Sequence, residues 1–492
     1  MGLIEQLPCY IAGKRIDVEN SARTIDSIDK IDKIPIASVS APQLRKALRF
    51  ADEAQERLSR TPIKERIEVA RFLLSEYAKN YRSHVCWGLA KFRGLVAKDA
   101  SWMMDILAKS TEELELFVDA VFGMDTSFKR NIKAGDKVLS ELRYKSDGTG
   151  ALIFSSTMDG PPAGTALAHT ILSGTHVILR PSWRDVATHF LLDILVENNL
   201  GDYAQLVRWP SEGEDTISLN KQLIRNVDQT IVFCSDETFV ELMAQVELGE
   251  QRHLDKKVIK YGKGLPLTIV QPDVDLDDAA GLLLEGARLG NGKFCLSHCP
   301  VLVNRACYEE LLARLQELSS QLKAGDPLAM ETDLGQWEGT EVKQLEKYLP
   351  TLGGSIACGN FEGTSMDVVV LKGVPQNSPC LYSEFPGTLL ALIPFDTIDE
   401  AIKIAGTSLK QNHRKAWTAV NIFANKEDFT KLSSRIDSYH FLNGGITALP
   451  KFILPHQGSY FAIDLMRRVI NDNEKEWRVH AGHLYHRGTP KA

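Results

Sequence analysis

The front of the chain has the hydrophobic spacing of helices. Between residues 41 and 60, apolar residues recur every three or four positions, which is typical of one helical face: Leu44, Ala47, Leu48, Ala51, Ala54 and Leu58. A second helix is predicted to start at Pro62, because proline suits a first helical position, and to continue beyond Ile67 and Leu74. The first part of the chain is therefore predicted to be helical.

Beyond residue 149 the pattern changes to short apolar runs separated by longer amphipathic stretches. The runs lie at 151–154, 176–179, 205–207, 230–233 and 267–270, and a second series lies at 299–303, 368–371 and 389–393. This alternation predicts βαβ units, in which a parallel sheet has helices on both faces. Two such α/β layers fit a chain of 492 residues.

Two segments lack the pattern of a core. Residues 130–144 are polar, and residues 476–492 are polar with scattered β-forming residues. We expect both segments to serve contacts between subunits.

Composition excludes several classes of protein. With 44% apolar and 25% charged residues, the chain can bury ordinary globular cores. The net charge of −7 has no long block of like charge that would suit a nucleic acid or an anionic membrane. The N-terminus has no basic start followed by an apolar core, and no stretch approaches the roughly 18 apolar residues of a membrane span. We expect a cytoplasmic protein with small-molecule or protein partners.

The eight cysteines are scattered through a large chain, which favours reduced thiols. Cys295, His298 and Cys299 form a compact cluster, but no second pair of ligands stands at zinc-finger spacing. The histidines at 480, 483 and 486 are spaced by three, and an exposed tail explains them as well as a metal does. We therefore predict no metal site, and a special cysteine here is expected to be catalytic.

Several motifs follow one another in an order that carries a resemblance. Leu172-Ser-Gly-Thr-His-Val-Ile-Leu-Arg-Pro181 precedes Gly292-Lys-Phe-Cys295, and Ser383-Glu-Phe-Pro-Gly387 precedes Ile393-Pro-Phe-Asp-Thr-Ile-Asp-Glu-Ala-Ile402. The series resembles the aldehyde dehydrogenase family over roughly residues 30 to 470, although no single motif is intact.

The resemblance implies a Rossmann-like cofactor domain, an α/β catalytic domain and a small oligomerisation flap. On this sequence we place the cofactor domain at residues 1–128 and 147–255, and the catalytic domain at residues 256–445. The oligomerisation segments are then residues 129–146 and 446–492. The family also implies a homodimer or homotetramer.

Cys295 matches the family's nucleophile. A cysteine thiolate attacks the carbonyl carbon, hydride leaves for nicotinamide, and a reactive thioester remains on the sulfur. The flank Gly290-Asn-Gly-Lys-Phe lets the backbone approach a substrate closely, and the ammonium of Lys293 would favour the thiolate if it lay nearby. A lone cysteine after such a turn is otherwise a small buried hydrophobe.

Two other catalytic positions depart from the family pattern. The asparagine that donates to the oxyanion corresponds to Thr157, whose hydroxyl either replaces that donor or takes no part. The glutamate that activates water corresponds to Lys260, and an ammonium with an ordinary pKa near about 10.4 cannot accept a proton at neutral pH. The resemblance thus implies a site in which water is poorly activated.

The positions that bind cofactor in the family are mixed. Arg180 replaces the lysine that binds the adenosine ribose, and Trp183 stands where a ribose-binding glutamate is common. The family's pyrophosphate-binding Gly-Ser appears as Ser235-Asp236, two residues after Phe233. An acidic side chain there would repel a phosphate unless it points away.

Glu384 matches the glutamate that binds the nicotinamide ribose, and Gly387 matches the glycine that follows it in the family. This match favours a retained cofactor pocket. A solvated surface carboxylate is the alternative.

The resemblance implies an oxidoreductase that uses NAD or NADP and acts on an aldehyde or an acyl thioester through a thioacyl group on Cys295. Because Lys260 replaces the base, we favour an acylating dehydrogenase or acyl-thioester reductase, with coenzyme A or a carrier protein as the thiol partner. Two alternatives stay open: a hydrolytic aldehyde dehydrogenase that forms an acid, and a catalytically weakened homologue that acts as a scaffold.

Overall fold

The computed structural model describes residues 4–18, 23–122, 129–210, 213–246, 256–262, 264–297, 299–385, 387–447 and 461–472. The helices are α1 Ala41–Leu58, α2 Ile63–Asn80, α3 Arg82–Arg93, α4 Ala97–Lys109, α5 Leu114–Phe122, α6 Pro161–Ser173, α7 His189–Glu197, α8 Glu214–Asn226, α9 Asp236–Val246, α10 Leu276–Arg288, α11 Tyr308–Ser319, α12 Gly339–Tyr348, α13 Ile398–Gln411, α14 Lys426–Ser433 and α15 Phe461–Asp464.

The strands are β1 Cys9–Ile11, β2 Lys14–Ile16, β3 Arg23–Asp26, β4 Lys33–Ile36, β5 Lys129–Ala134, β6 Lys137–Ser146, β7 Gly150–Ile153, β8 Val177–Arg180, β9 Ala204–Leu206, β10 Gln229–Phe233, β11 Lys257–Tyr261, β12 Pro266–Val270, β13 Pro300–Asn304, β14 Ser355–Cys358, β15 Phe361–Glu362, β16 Ser365–Met366, β17 Val369–Lys372, β18 Leu389–Phe395, β19 Ala419–Phe423, β20 Phe441–Asn443 and β21 Met466–Asp472.

The first seven-stranded sheet has the order β11-β10-β7-β8-β9-β1-β2. Strands β11, β10, β7, β8 and β9 are parallel, and the hairpin of β1 and β2 closes one edge in the antiparallel direction. The inner strands are buried along their length because helices cover both faces, which explains their continuous apolar runs. This sheet positions β8 and β10, the strands that end at Arg180 and Phe233.

The second seven-stranded sheet has the order β14-β17-β18-β13-β12-β19-β20. It is parallel from β17 to β20, and β14 pairs antiparallel at one edge. Both expected α/β layers are therefore present. No helix among the described residues is long and apolar enough to cross a bilayer.

The link between the two sheets lies just after β11. Val232 of β10 pairs with Lys260 of β11, so β11 is hydrogen-bonded into the first sheet. The predicted start of the catalytic domain, residue 256, comes before this strand. Pro266, the first residue of β12, already pairs with Ala419 in the second sheet.

A smaller three-stranded sheet has the order β21-β6-β5. Met466 pairs with Ser146, and Asp472 pairs with Ser140. The polar segment 130–144 is thus largely antiparallel strand. Residues 476–492 lie outside the described residues.

The first predicted helix matches α1, and a capping box between Ser40 and Gln43 fixes its start. The second starts one residue later than predicted, since Pro62 has an extended ψ of 149° and precedes the helix as its N-cap. The predicted strands lie within one or two residues of β7, β8, β9, β10, β12, β13, β17 and β18.

Candidate active site

Cys295 follows a turn of unusual backbone conformation. Gly290, Asn291 and Gly292 have φ angles of 61°, 55° and 63°, in the left-handed region that favours glycine and tolerates asparagine. A Cβ at Gly290 would overlap the ring of Phe294, and one at Gly292 would overlap the carbonyl of Gly387. The turn therefore requires both glycines.

The side chain of Asn291 fixes this turn to two other segments. Its Nδ2 donates to the carbonyl of Gly94 at 2.7 Å and to that of Gln336 at 3.2 Å. Its Oδ1 accepts from the backbone N–H of Gly335 at 3.1 Å. Because the amide is buried and fully engaged, it holds the turn before Cys295 in one position.

Two further contacts hold the backbone of Cys295. Gly264, in the link between the sheets, lies so close that a Cβ there would overlap the carbonyl oxygen of Cys295. The hydroxyl of Thr447 donates to the carbonyl of Leu296 at 2.5 Å. Gly264 and Thr447 thus restrain the backbone of Cys295 and Leu296.

The environment of Cys295 favours the neutral thiol. Burial raises its pKa to about 12, and the negative charge of Glu384 acts in the same direction. The charge of Glu384 therefore acts on the Cys295 thiol, although the two residues are 89 positions apart in the chain. The N–H of Gly387 also donates to the carbonyl of Gly292 at 3.1 Å, which attaches the Glu384 loop to the cysteine turn.

The ammonium of Lys293 is paired with a carboxylate. Its Nζ lies 2.8 Å from the carboxylate of Glu341 on α12 and 4.5 Å from the centre of the Trp337 ring. Burial lowers the pKa of Lys293, against the opposing effect of Glu341. The ammonium is therefore held by Glu341 and Trp337, because α12 brings a carboxylate that the local sequence does not reveal.

Thr157 lies in a short turn, Ser156–Met158, between β7 and α6. Its hydroxyl is 2.8 Å from that of Ser155. It lines a narrow pocket together with Phe294, the residue before Cys295. Thr157 is thus near the turn that precedes Cys295.

Lys260 is engaged in an ion pair. Its ammonium is ion-paired with the carboxylate of Asp236, the first residue of α9, and lies 5.6 Å from the centre of the Phe239 ring. A guanidinium nitrogen of Arg414 is 3.8 Å from the other oxygen of Asp236. An ammonium has no lone pair to accept a proton, so this pairing keeps Lys260 unsuited to activating water.

Ser235 and Phe233 have structural contacts. The hydroxyl of Ser235 accepts from the N–H of Thr238 at 3.2 Å and so caps α9. The ring of Phe233 stacks on Tyr261 with centres 5.2 Å apart and meets Phe154 edge-on at 5.5 Å.

Arg180 is the last residue of β8, and Trp183 lies three residues after it. The guanidinium of Arg180 lies 5.5 Å from the centre of the Trp209 ring. Its Nε is buried and, among the described residues, has no hydrogen-bond partner. Burial lowers the pKa of Arg180 to about 10, and the charge of Arg208 adds to this effect. Trp183 is half-buried against the core of the first layer.

Comparison with known proteins identifies the family of the chain. The sequence model of the aldehyde dehydrogenase family matches residues 17–420. The chain belongs to the aldehyde dehydrogenase family.

Individual relatives of this aldehyde dehydrogenase are distant. A 3,6-anhydro-alpha-L-galactose dehydrogenase of Vibrio sp. strain EJY3 is 22% identical over 416 residues, which cover 81% of this chain and 84% of the relative. A probable succinate-semialdehyde dehydrogenase [NADP(+)] of Synechocystis sp. is 27% identical over 208 residues, 40% of this chain and 44% of the relative.

A solved structure of 3,6-anhydro-L-galactose dehydrogenase in complex with NAP superposes with a TM-score of 0.76 at 19% identity. The match covers 95% of this chain and 99% of that one. At this identity the likeness establishes the aldehyde dehydrogenase fold, as the sequence predicted.

Sequence reasoning missed three residues at the site of this aldehyde dehydrogenase. Asn291 and Gly264 hold the nucleophile, and Arg93 lines the pocket beside Thr157. The run Gly290-Asn-Gly was a usable signal for a left-handed turn. Arg93 and Gly264 gave no signal, because their contacts are distant in sequence.

Proposed function

We propose that this aldehyde dehydrogenase is an NAD(P)-dependent oxidoreductase of the aldehyde and acyl-thioester couple. The observation that supports it best is the turn before Cys295, which Asn291 and Gly264 hold, together with the effect of the Glu384 charge on the Cys295 thiol. Such restraint is what covalent catalysis needs, because the sulfur must approach one carbon at a fixed angle.

A nicotinamide dinucleotide fits the residues that are present. One relative is named for NADP(+), and one solved neighbour binds NAP. At the adenosine end, Arg180 offers a buried Nε with no partner among the described residues. At the other end, Glu384 lies beside Cys295. When bound, the cofactor supplies the acceptor or donor of hydride.

The pyrophosphate position carries a carboxylate, Asp236, but not an isolated one. Lys260 and Arg414 neutralise its charge. We propose that Ser235 and Phe233 shape this part of the site and that Trp183 lies beside the ribose position.

The protein's own residues would act in sequence. The Cys295 thiol releases its proton to water, its sulfur forms a bond to the carbonyl carbon of the substrate, and the electron pair of the C=O π bond moves to the oxygen. The Cys295 N–H and the Thr157 hydroxyl donate to the oxygen that becomes negative. After hydride has left the carbon, a thioester on Cys295 remains.

The acyl group then needs an acceptor, and we propose a thiol. The thiol of coenzyme A or of a carrier protein releases its proton to water as its sulfur bonds to the acyl carbon. The bond from that carbon to Cys295 breaks, and the departing Cys295 thiolate takes a proton back from water. Ordinary hydrolysis requires a base that takes a proton from water, and Lys260 is ion-paired to Asp236 instead. The reverse direction, from acyl thioester to aldehyde, uses the same groups.

A catalytically weakened homologue that acts as a scaffold is the second candidate. The observation that favours it is the raised pKa of Cys295, about 12, which leaves little thiolate at neutral pH. A nucleotide-binding titration separates the two, since a scaffold has no need to bind NAD or NADP.

We further propose that residues 1–128 and 147–255 bind the cofactor, that residues 256–445 carry the nucleophile, and that 129–146 and 446–492 join subunits of a cytoplasmic homodimer or homotetramer. Exposed apolar side chains on the small sheet support the last point. Ile132 on β5 and Ile470 on β21 are 40% and 58% exposed.

The test uses purified protein with each nicotinamide cofactor and a panel of aldehydes. We expect a single burst of reduced cofactor, about one per active site, followed by slow turnover that coenzyme A accelerates. Absence of both nucleotide binding and any burst would instead support the scaffold.

A further inference from the structure

We propose that Arg288 is a positioning residue for hydride transfer, because by binding Asp99 it fixes the turn before Cys295 against the layer proposed to bind the cofactor. This inference rests on the proposed function, since it concerns the geometry of the same reaction.

Hydride transfer joins groups that belong to different layers. Cys295 follows α10 in the second layer, whereas Arg180 ends β8 in the first. In this step the C–H bond of the carbon attached to Cys295 breaks, the hydrogen leaves with its electron pair for the nicotinamide ring, and a lone pair of the oxygen re-forms the C=O bond. The reacting atoms must lie about 3 to 3.5 Å apart, so the two layers must keep one relative position.

Arg288 and Asp99 face each other across the boundary between the layers. Arg288 is the last residue of α10, and the left-handed turn begins two residues later at Gly290. Asp99 lies in the first turn of α4. Helix α4 belongs to the first layer, since its Met104 shares a buried core with Leu152 of β7. The pair therefore joins the end of α10 to the first layer.

The ion pair between Arg288 and Asp99 is buried and well aligned. Nη1 of Arg288 lies 3.0 Å from Oδ1 of Asp99 and 2.9 Å from Oδ2. The two side chains are only 12% and 7% exposed. Burial raises the pKa of Asp99, and the charge of Arg288 opposes this effect. Separation of the two groups would leave a buried carboxylate without its partner, which resists movement of the layers at this point.

The remaining donors of Arg288 bind within the second layer. Nε and Nη2 donate to the two carboxylate oxygens of Glu285, one turn earlier on α10, each at 2.7 Å. Nη1 also donates to the carbonyl of Asp333 at 3.3 Å, and the carboxylate of Asp333 pairs with Lys98, the neighbour of Asp99, at 2.6 Å. Because the guanidinium is held on several sides, its contact with Asp99 restrains the end of α10 itself.

Other contacts at the boundary are backbone bonds or exposed pairs. The N–H of Ala97, at the start of α4, donates to the carbonyl of Pro327 at 2.9 Å. Arg184 and Glu338 also form an ion pair between the layers, but the side chain of Arg184 is 52% exposed, so solvent weakens the attraction. The Arg288 pair is the better shielded of these two ion pairs.

The first test is Asp99→Asn, which removes the charge and keeps the shape of the side chain. The burst of reduced cofactor is followed with butanal and with 1-deuterated butanal, each with NAD or NADP. The variant should lower the burst rate constant about 10- to 100-fold, the usual cost of misplacing reacting groups by about 1 Å. The isotope effect on the burst should rise, because hydride transfer then limits the rate more fully. An unfolded fraction would lower both rates equally.

Three further measurements on Asp99→Asn need no turnover. Iodoacetamide should label Cys295 at the unmodified rate, because the burial and the Glu384 charge that raise the pKa of the thiol are retained. Nucleotide affinity should also be unchanged. Hydrogen exchange should rise in peptides that cover residues 94–100 and 283–290 and stay constant in β12. Greatly altered labelling would show that Asp99 acts on the nucleophile and not on the alignment of the layers.

Asp202→Asn is the matched control. Asp202 accepts two bonds of 2.7 Å from Arg57 of α1, and both residues belong to the first layer. This variant should keep the burst rate and the isotope effect of the unmodified protein.

Arg288→Lys retains a positive charge beside Asp99 without the planar fork, so its burst rate should fall between those of Asp99→Asn and the unmodified protein. The double variant should lose less than the sum of the two single losses, because both changes break one interaction.

An unchanged burst rate in Asp99→Asn, or a slower burst with an unchanged isotope effect, overturns this inference while the proposed function stands. If the unmodified protein gives no burst with butanal or any other aldehyde of the panel, the proposed function fails and the inference fails with it.

Discussion

The ammonium of Lys260 is ion-paired with the carboxylate of Asp236. The sequence predicts that these two positions correspond to the family's water-activating glutamate and phosphate-binding serine. The two side chains therefore compensate each other in charge. A change at Lys260 alone leaves Asp236 with the guanidinium of Arg414, 3.8 Å away, as its cationic partner.

The Lys260–Asp236 pair leads to the first prediction. Lys260→Glu combined with Asp236→Ser should restore some acid-forming turnover without added thiol, since a carboxylate can take a proton from water. Lys260→Glu alone should give less, because the new carboxylate lies beside that of Asp236 and is repelled. Acid and reduced cofactor are measured over many turnovers. Rapid acid formation by the unmodified protein would return it to the hydrolytic class.

Cys295→Ala should abolish turnover and leave nucleotide affinity nearly unchanged, because the thiol forms the covalent adduct but does not hold the cofactor. Steady-state rates and a fluorescence titration measure the two properties. Cys299→Ala is the control and should keep most activity. Wild-type activity in the Cys295 variant would show that another residue is the nucleophile.

Glu384→Gln should have opposite effects on two measurements. Removing the negative charge beside Cys295 lowers the pKa of the thiol, so iodoacetamide should label Cys295 faster at a given pH below about 10. Catalysis should weaken, because an amide offers a single acceptor oxygen to two ribose hydroxyls. In the unmodified protein, labelling should rise about tenfold per pH unit from about pH 7 to 10, as the thiolate fraction grows. A flat profile would mean that the thiol is already ionised.

Asn291→Ala should lower the free energy of unfolding by about 2 to 4 kcal/mol, because it leaves buried backbone groups unpaired and because alanine tolerates the left-handed φ of 55° less well than asparagine does. Asn291→Gly should cost less, since glycine accepts that backbone conformation. Denaturant unfolding compares the two variants. Equal stability of both with the unmodified protein would contradict the role of the amide.

Gly264→Ala should inactivate the enzyme or prevent its folding, because the new methyl group overlaps the Cys295 carbonyl. Gly281→Ala is a matched control inside α10, where a Cβ meets nothing within 4 Å. That variant should be active and about 0.5 to 1 kcal/mol more stable, since alanine is the better helix former. Circular dichroism and activity assays distinguish the two.

Much of the fold was accessible from the sequence because it depends on local periodicity. The apolar run that becomes β12 and the spacing that becomes α1 are readable within about 20 residues. Motif order also singled out Cys295 and Glu384, which are 89 positions apart, and the charge of Glu384 acts on the Cys295 thiol.

The partners of charged side chains were not accessible. Lys293 is paired with Glu341 and Lys260 with Asp236, and neither distance along the chain follows a helical or strand repeat. Long-range pairs of this kind depend on how layers pack, which one sequence does not display.

The contact between Gly264 and Cys295 has a mechanical consequence. Strand β11 of the first sheet ends at Tyr261 and β12 of the second begins at Pro266, and Cys295 rests against Gly264 between them. If the layers swing open to admit ligands, a link of this kind is the natural hinge. Cys295 then lies close to the hinge and is displaced least. Groups farther from the hinge, such as Arg180, are displaced more. The sulfur of Cys295 would then keep its position while the cleft opens and closes.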